Sequence, residues 1–215
     1  MKEVMTIHKA LSELKILDSR ITDKINKSEF AVANKHSNTK IHGIDVDAFC
    51  KEVKEEYQSL MTLINRRNAI KRAVTKSNAV TAVTIGGKTY TVAEAIDMKT
   101  MGCGYLTAIA DIMKNQFAFA SRKADAENND CLYNKADEYI KSLYAGSDLK
   151  NMSEEIRKVR DAFIAAQTVE VIDPVHAADE ASKLQKEADE FLSDVDSALS
   201  VSNALTKIEV EYETL

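Results

Sequence analysis

Two similar short segments occur in this chain, each after a long helical pattern. Residues 77–85 read SNAVTAVTI and residues 202–210 read SNALTKIEV, with a fainter copy, SNTKI, at 37–41. Serine and asparagine favour a helix end, since asparagine tolerates the left-handed backbone found there. The residues that follow alternate with the period of two that a half-buried strand needs. We therefore expect long helices that each feed one strand into a small shared sheet, with structural residues at the helix ends: Ser77, Asn78, Ser202 and Asn203.

Composition favours helices and excludes several classes of protein. The 215 residues include one proline and six glycines, and so few helix breakers are typical of long helices. The net charge of −5 gives no reason to expect wholesale binding of nucleic acid. No apolar run approaches the roughly 20 residues of a membrane span, and the first residues lack the apolar core of a signal peptide. Three widely spaced cysteines without a CxxC motif argue for reduced thiols in a cytosolic setting.

Apolar positions spaced by three and four predict the helices. The first covers about 6–28 with Thr6 as its N-cap, and the second starts after Asp45 and ends at 77–78. A third pattern covers about 92–144, with glycines near 103 that would kink it or admit a neighbouring backbone, a weak point at 128–130 and a stop at 145–147. Ser153 caps a fourth helix. The last helix, over about 175–200, carries a heptad seam suited to pairing with another long helix: Leu184, Ala188, Phe191, Val195 and Ala198.

A β-hairpin over 79–91 is the clearest local signal. Gly86 and Gly87 supply the positive φ of its turn, and Thr91 with Glu94 forms a capping box that starts the next helix. Residues 41–46 look like a shorter version of the same arrangement. Further strands are expected over 168–172 and 204–212, and the second of these closes the chain.

These elements predict a mainly α (α+β) fold. The expected architecture is a single elongated domain over 1–215, an antiparallel bundle of long helices with a small β-sheet or hairpin at one end. Residues 148–174 are a possible insertion. Long helices leave part of their apolar stripe uncovered, and short strands leave unpaired edges. Both features favour a neighbouring subunit, and so a non-enzymatic structural protein that works in an assembly.

Several segments resemble two related groups of proteins. They are the N-terminal helix, residues 63–70, the strand and Gly-Gly hairpin after 77–78, residues 90–96 and the closing 202–210. These segments are similar to small helical virion structural proteins of tailed phages and to the septicolysin-like family of bacterial proteins. The resemblance covers about two thirds of the chain and implies a fold more than an activity. Residues 148–174 depart from the shorter septicolysin pattern.

The resemblance implies a ring, neck or tail component of a phage particle. Such a protein would be located in the virion after assembly in the cytoplasm of the bacterial host. Its partners would be further copies of itself and other virion proteins, without a small-molecule substrate, cofactor, nucleic acid or membrane span. The alternative is a septicolysin-like soluble bacterial effector or adaptor in the cytoplasm, membrane-active in one version.

The densest positive cluster lies on the second predicted helix: Arg66, Arg67, Lys71, Arg72 and Lys76. One interpretation is contact with an acidic partner surface or a nucleic-acid backbone. The other is a solvated helix face that pairs with acidic residues of 52–56 or of the last helix. No aromatic residues interleave with the cluster, which argues against single-strand binding. The candidate partner-binding residues are the first four, Arg66, Arg67, Lys71 and Arg72.

No catalytic, cofactor or metal site is predicted. Cys103 lies between two glycines without a nearby base or a Cys/His signature, so we expect packing or a kink there and not a nucleophile. His36 and His42 lack helical spacing and an acidic third ligand. Residues 86–89 lack the first glycine of a Walker A motif.

Overall fold

A computed structural model of the chain describes residues 1–144 and 152–213. The protein is mostly helical, with small antiparallel sheets, and the mainly α prediction is confirmed. Contacts group the chain into two compact units. Unit 1 is Met1–Met101 with Glu190–Leu215, and unit 2 is Gly102–Asp189. The described strands all belong to unit 1.

The predicted helices form with small changes of boundary. They are α1 (Ile7–Lys27), α2 (Val46–Asn78), α3 (Val92–Asp97), α4 (Cys103–Asn128), α5 (Asp130–Leu143), α6 (Glu154–Gln167) and α7 (Ala177–Leu205). The strands are β1 (Lys2–Thr6), β2 (Lys40–Ile41), β3 (Ile44–Asp45), β4 (Ala82–Ile85), β5 (Lys88–Thr91) and β6 (Lys207–Glu211). The third predicted helix is divided at 129 and at a π-helical turn, Met98–Gly102. A side chain at Gly104 would meet nothing within 4 Å, so no neighbouring backbone approaches that glycine.

The core of unit 1 is formed by α1, the second half of α2 and the ribbon of β1 and β6. Its buried residues are Met5, Ile7, Ala10, Leu14, Leu17, Ala69, Ile70, Val74, Ile208 and Val210. Helices α1 and α2 run antiparallel, because Glu13 meets Arg66 while Lys24, later on α1, donates to Ser59, earlier on α2. The apolar stripe that predicted α1 is therefore the face that packs against α2.

The strands form three separate two-stranded ribbons, β1–β6, β2–β3 and β4–β5. The prediction of one shared sheet is therefore wrong. Strand β1, which the sequence did not suggest, pairs antiparallel with β6 from Lys2 opposite Glu211 to Thr6 opposite Lys207. Each of the two strong repeats thus has a strand partner, but neither repeat is the partner of the other.

The three ribbons share one hydrogen-bonding arrangement. In each ribbon, a threonine lies just before one strand, and its carbonyl accepts a hydrogen bond from the first amide of the helix that follows the other strand. The three bonds join Thr206 to Ile7 at 3.0 Å, Thr81 to Val92 at 2.8 Å and Thr39 to Val46 at 3.2 Å. The residue two places after each threonine is buried: Ile208, Val83 and Ile41. The three Ser-Asn segments are thus three copies of one ribbon-to-helix unit.

The serines of the two strong segments close their helices through the backbone. The Ser77 carbonyl accepts a bond from the Thr81 amide and the Ser202 carbonyl accepts one from the Thr206 amide, both at 2.9 Å. The two segments also lie close together, since residues 81–84 and the end of α7 line a common groove of about 440 Å³.

The asparagines of these segments do not take the expected conformation. Asn78 and Asn203 are helical, and within 1–144 and 152–213 the non-glycine residues with positive φ are His42 and His176. The prediction of left-handed asparagines is therefore wrong. The C-cap of α2 is Ala79, whose backbone is in the right-handed region with φ −72° and ψ −19°. The helix therefore ends without a residue in the left-handed conformation.

The hairpin of β4 and β5 has the predicted turn. Gly86 has φ 56° and Gly87 has φ 77°, and two positive values match the two-residue turn that follows the twist of the strands. The turn between β2 and β3 uses His42 at 51° and Gly43 at 89°. Both hairpins therefore reverse direction within two residues and start a helix where the second strand ends.

Threonines cap two of these helices. The Thr6 hydroxyl accepts a bond from the Lys9 amide at 3.2 Å. At α3, Thr91 and Glu94 form the predicted capping box, in which the Glu94 carboxylate accepts from the Thr91 amide at 2.7 Å. Asp45 occupies the cap position of α2 but makes no side-chain bond there.

In unit 2, α5 packs against α6. Tyr139 stacks on Phe163 with ring centroids 4.5 Å apart, and Asp137 binds Arg160 at 2.7 Å. The predicted cap of α6 forms, since the Ile156 amide donates to the Ser153 hydroxyl at 3.4 Å. The helix stop expected at 145–147 lies outside the described residues.

The strand predicted over 168–172 does not form, and this prediction is wrong. Val169 donates its amide to the Asn128 side chain at 2.8 Å and accepts from that side chain at 2.7 Å. One side-chain amide thus satisfies both backbone groups of Val169, which would otherwise need a neighbouring strand. The helical part of the possible insertion over 148–174 is α6.

The heptad seam of α7 is largely buried, while its pairing with another long helix stays a prediction. Ala188, Phe191 and Val195 are buried, while Leu184 and Ala198 are half-buried. In unit 1 the Phe191 ring meets Tyr90 edge to face, with centroids 5.4 Å apart. The hairpin β4–β5 therefore packs on α7 through an aromatic pair.

Candidate interaction surfaces

The basic cluster of α2 divides into two parts. Arg66 turns toward α1 and the β1–β6 ribbon, whereas Arg67, Lys71 and Arg72 border an open groove. The two arginines that form ion pairs bind acids of β1 and α1. The predicted pairing of these arginines with 52–56 or with the last helix is therefore wrong.

Arg66 is the centre of a polar cluster at the end of the β1–β6 ribbon. Its guanidinium binds Glu3 at 2.9 Å and Glu13 at 2.5 Å, and donates to the Tyr212 hydroxyl. It also lies 5.0 Å from the centroid of the Tyr212 ring. The hydrogen bond to Glu13 raises the pKa of Arg66, so the charge is permanent. Arg66 therefore joins α2 to β1, α1 and the end of β6.

Arg67 makes a looser pair. Its Nε lies 2.8 Å from Asp18 of α1, whose carboxylate is largely exposed. Water and salt screen such a pair, so it adds little stability. Arg67 consequently remains available to a partner at the edge of the groove.

The groove has a volume of about 810 Å³. It is lined by Asn65, Arg67, Asn68, Lys71 and Arg72 of α2 and by Met1, Glu211, Tyr212 and Glu213 of the ribbon. Within 1–144 and 152–213, the side chains of Lys71 and Arg72 make no ion pair or hydrogen bond. The groove thus offers two unneutralised cations on one wall and two carboxylates on the other.

If the groove meets a partner, its charge pattern favours a protein surface over a nucleic-acid backbone. A nucleic-acid backbone presents a continuous row of phosphates, and Glu211 and Glu213 would repel it. A protein surface that carries both signs of charge would meet complementary groups on each wall. Lys71 and Arg72 are therefore candidate contacts to another protein.

The cysteine and histidine that the sequence singled out have local partners. Cys103 is buried, and desolvation raises the pKa of its thiol, with a further rise from the Glu187 charge. A nucleophilic cysteine needs the opposite shift. His42 binds Glu29 at 3.0 Å, and nowhere in the described ranges 1–144 and 152–213 do three metal-binding side chains converge.

Helix α4 of unit 2 has two apolar faces. One face is packed and contains Cys103, Ala110 and Ala124. The other is the exposed α4 face, formed by Tyr105, Ala108, Ile109, Ile112, Asn115 and Phe119. Its large side chains are open to solvent: Tyr105 63%, Ile109 50%, Ile112 55% and Phe119 68%. Such a helix is typical of a chain in which a partner covers the second face.

The sequence contains a signal for this face. Residues 105, 108, 112, 115 and 119 recur at spacings of three and four, which is a helical stripe. Met113 and Phe117 of the same helix belong to a second stripe and are half-buried. Two stripes on one helix merge into an almost continuous apolar pattern, and the sequence alone does not separate them.

Within the described part of the chain, every helix is too short or too polar to cross a bilayer. No protein-family model, curated protein or solved structure matches the chain.

Proposed function

We propose that this protein is a non-enzymatic structural protein that acts by contact in an assembly of several copies. Its most concrete setting is a phage virion, where it would serve as a ring, neck or tail component. The observation that carries the proposal is the exposed α4 face. The basic groove beside the β1–β6 ribbon is a second surface, suited to another protein of the particle.

The exposed α4 face differs from ordinary surface hydrophobicity. Single exposed apolar side chains are normal in soluble proteins, but contiguous patches mark contact sites. Here four large apolar side chains occupy one side of one helix, and the opposite side of that helix is already packed. Covering this face with protein would remove apolar surface from water at about 25 cal/mol per Å².

The phage setting rests on the resemblance of residues 63–70 and of the Ser-Asn segments to virion proteins. We also propose that the protein has the elongated antiparallel bundle that the sequence predicts. Small-angle scattering of the purified assembly would test that shape.

The mass of the protein in solution tests the proposal. A closed assembly would have a fixed multiple of 23.9 kDa in sedimentation equilibrium and mass photometry. A mass of 23.9 kDa at every concentration would count against the proposal. Leakage of dye from liposomes on addition of the protein would instead favour the septicolysin-like effector.

A further inference from the structure

The exposed α4 face has an alternating pattern of side-chain size. Tyr105, Ile112 and Phe119 are large and repeat every seven residues, while Ala108 and Asn115 lie between them and are small or short. All five are exposed. Spacings of three and four along one helix form the seam of a two-helix coiled coil.

We propose that α4 pairs antiparallel with α4 of a second copy of this chain, an inference that rests on the proposed assembly function. The two-fold axis passes at the height of Ala110. In this register Ile112 faces the second copy's Ala108, and Tyr105 faces its Asn115. Both of these layers place a large side chain against a small one, and the Tyr105 hydroxyl meets an amide that can bond it.

A parallel pair of the same helices would fit less well. It would place Ile112 against Ile112 and Ala108 against Ala108, so that crowded layers would alternate with empty ones. Voids and overpacking both cost free energy. The antiparallel pair also brings opposite helix ends together, which the helix dipoles favour.

The area of the exposed α4 face fits a small interface with a second copy and is too small for a large permanent interface. An aromatic side chain covers roughly 150–250 Å² when buried, and the two aromatics here are about two-thirds exposed. With the two isoleucines, a pair of copies would bury on the order of 800 to 1,000 Å², near the lower limit of specific interfaces. A single α4 pair is therefore expected to be a weak interface.

Disulfide trapping gives the direct test. Cys50 and Cys131 are exposed free thiols, so both are first replaced by serine. Two single variants, Ala108→Cys and Ile112→Cys, are then made in this background. In the antiparallel register residue 108 faces residue 112, whereas two copies of residue 108 are offset by about 6 Å along the axis.

The expected result is a cross-linked dimer when the two variants are mixed, and little dimer from Ala108→Cys alone. Ile112→Glu should weaken association by about ten-fold or more, while Ile172→Glu, at an exposed isoleucine of unit 2 outside α4, should not change it. Circular dichroism of both glutamate variants checks that they fold.

The remaining outcomes separate the pairing from the assembly function. Efficient disulfides between two copies of Ala108→Cys would overturn the antiparallel register and leave the assembly function in place. A multimer without any cross-link through α4 would overturn the pairing alone. A parent protein that remains a monomer would overturn both, and binding to phospholipid vesicles that Ile112→Glu abolishes would assign the face to a membrane.

Discussion

The backbone carbonyl of Thr206 accepts a hydrogen bond of 3.0 Å from the amide of Ile7. The same bond occurs in the two local hairpins, where two-residue turns connect the strands. In the β1–β6 ribbon the place of that turn is taken by Met1 and Tyr212, whose backbones are hydrogen-bonded in both directions at 2.7 and 3.1 Å. The ribbon is therefore equivalent to a hairpin without its turn.

This equivalence predicts that a circular permutant will fold. The permutant joins Tyr212 to Met1 through Asn-Gly, in place of 213–215, and opens the chain between Gly86 and Gly87. The joined ends are already adjacent, and the opened ribbon keeps its ladder of hydrogen bonds. We expect native helical content by far-UV circular dichroism and cooperative unfolding in urea.

The matched control opens the chain between Ala69 and Ile70, which are buried in the core of unit 1. This second permutant should lose cooperative unfolding. If the permutant opened at Gly86 unfolds as uncooperatively as this control, the three ribbons are not equivalent.

The caps of α1 and α3 should contribute measurable stability. Thr6→Ala and Thr91→Ala each remove a hydroxyl that accepts a bond from a helix amide, and each should lower the free energy of unfolding by about 1 kcal/mol. Asp45→Ala is the control, since Asp45 makes no side-chain bond at the start of α2. A loss at Asp45 as large as at the threonines would contradict this account. Chemical denaturation measures all three.

The capping box should make stability depend on pH in the acid range. The bond from the Thr91 amide, followed by the bond from its hydroxyl, lowers the pKa of Glu94 below its ordinary value. A carboxylate with a lowered pKa in the folded state stabilises fully above its unfolded pKa, and this contribution disappears as the pH falls through the lowered value. The difference in unfolding free energy between the parent and Glu94→Gln should therefore shrink on acidification.

Glu52→Gln serves as its control, because the Glu52 side chain makes no ion pair or hydrogen bond in the described part of the chain. Its difference from the parent should stay constant over the same pH range. A Glu94→Gln difference that is equally constant would mean that the carboxylate does not hold the helix start.

Arg66 and Arg67 should differ in their contribution to stability despite being adjacent. Arg66→Met leaves the half-buried Glu13 without its guanidinium, and the expected loss is on the order of 1–3 kcal/mol. Arg67→Met breaks an exposed pair, and the expected loss is under about 1 kcal/mol. Urea unfolding measures both variants. Equal losses would show that the Arg66 cluster adds nothing beyond surface charge.

Local features of this fold could be predicted because their causes lie within a few residues. The turn at Gly86 and Gly87 and the capping box of Thr91 with Glu94 depend on nearby backbone geometry. Strand β1 could not be predicted, because its partner lies at the other end of the described chain. An alternating pattern of five residues is too short to predict a strand on its own.

The failures at Val169 and Arg66 have one cause, which is a partner far away in sequence. The alternation around Val169 favours a strand, but the Asn128 side chain satisfies the backbone instead. Arg66 and Arg67 belong to one charge run, yet a helix turns by about 100° between them. That turn is enough to direct Arg66 into a cluster and Arg67 toward the groove.

The pairing of β1 with β6 also affects how a newly made chain can fold. On the ribosome, β1 and the first turn of α1 emerge long before β6, which is translated nearly the whole described chain later. Until then the Ile7 amide lacks its hydrogen-bond acceptor, the Thr206 carbonyl. The core cluster that contains Met5 and Leu14 also lacks Ile208 and Val210. Nascent chains that end before residue 206 would therefore display an unfinished apolar surface, of the kind that chaperones bind.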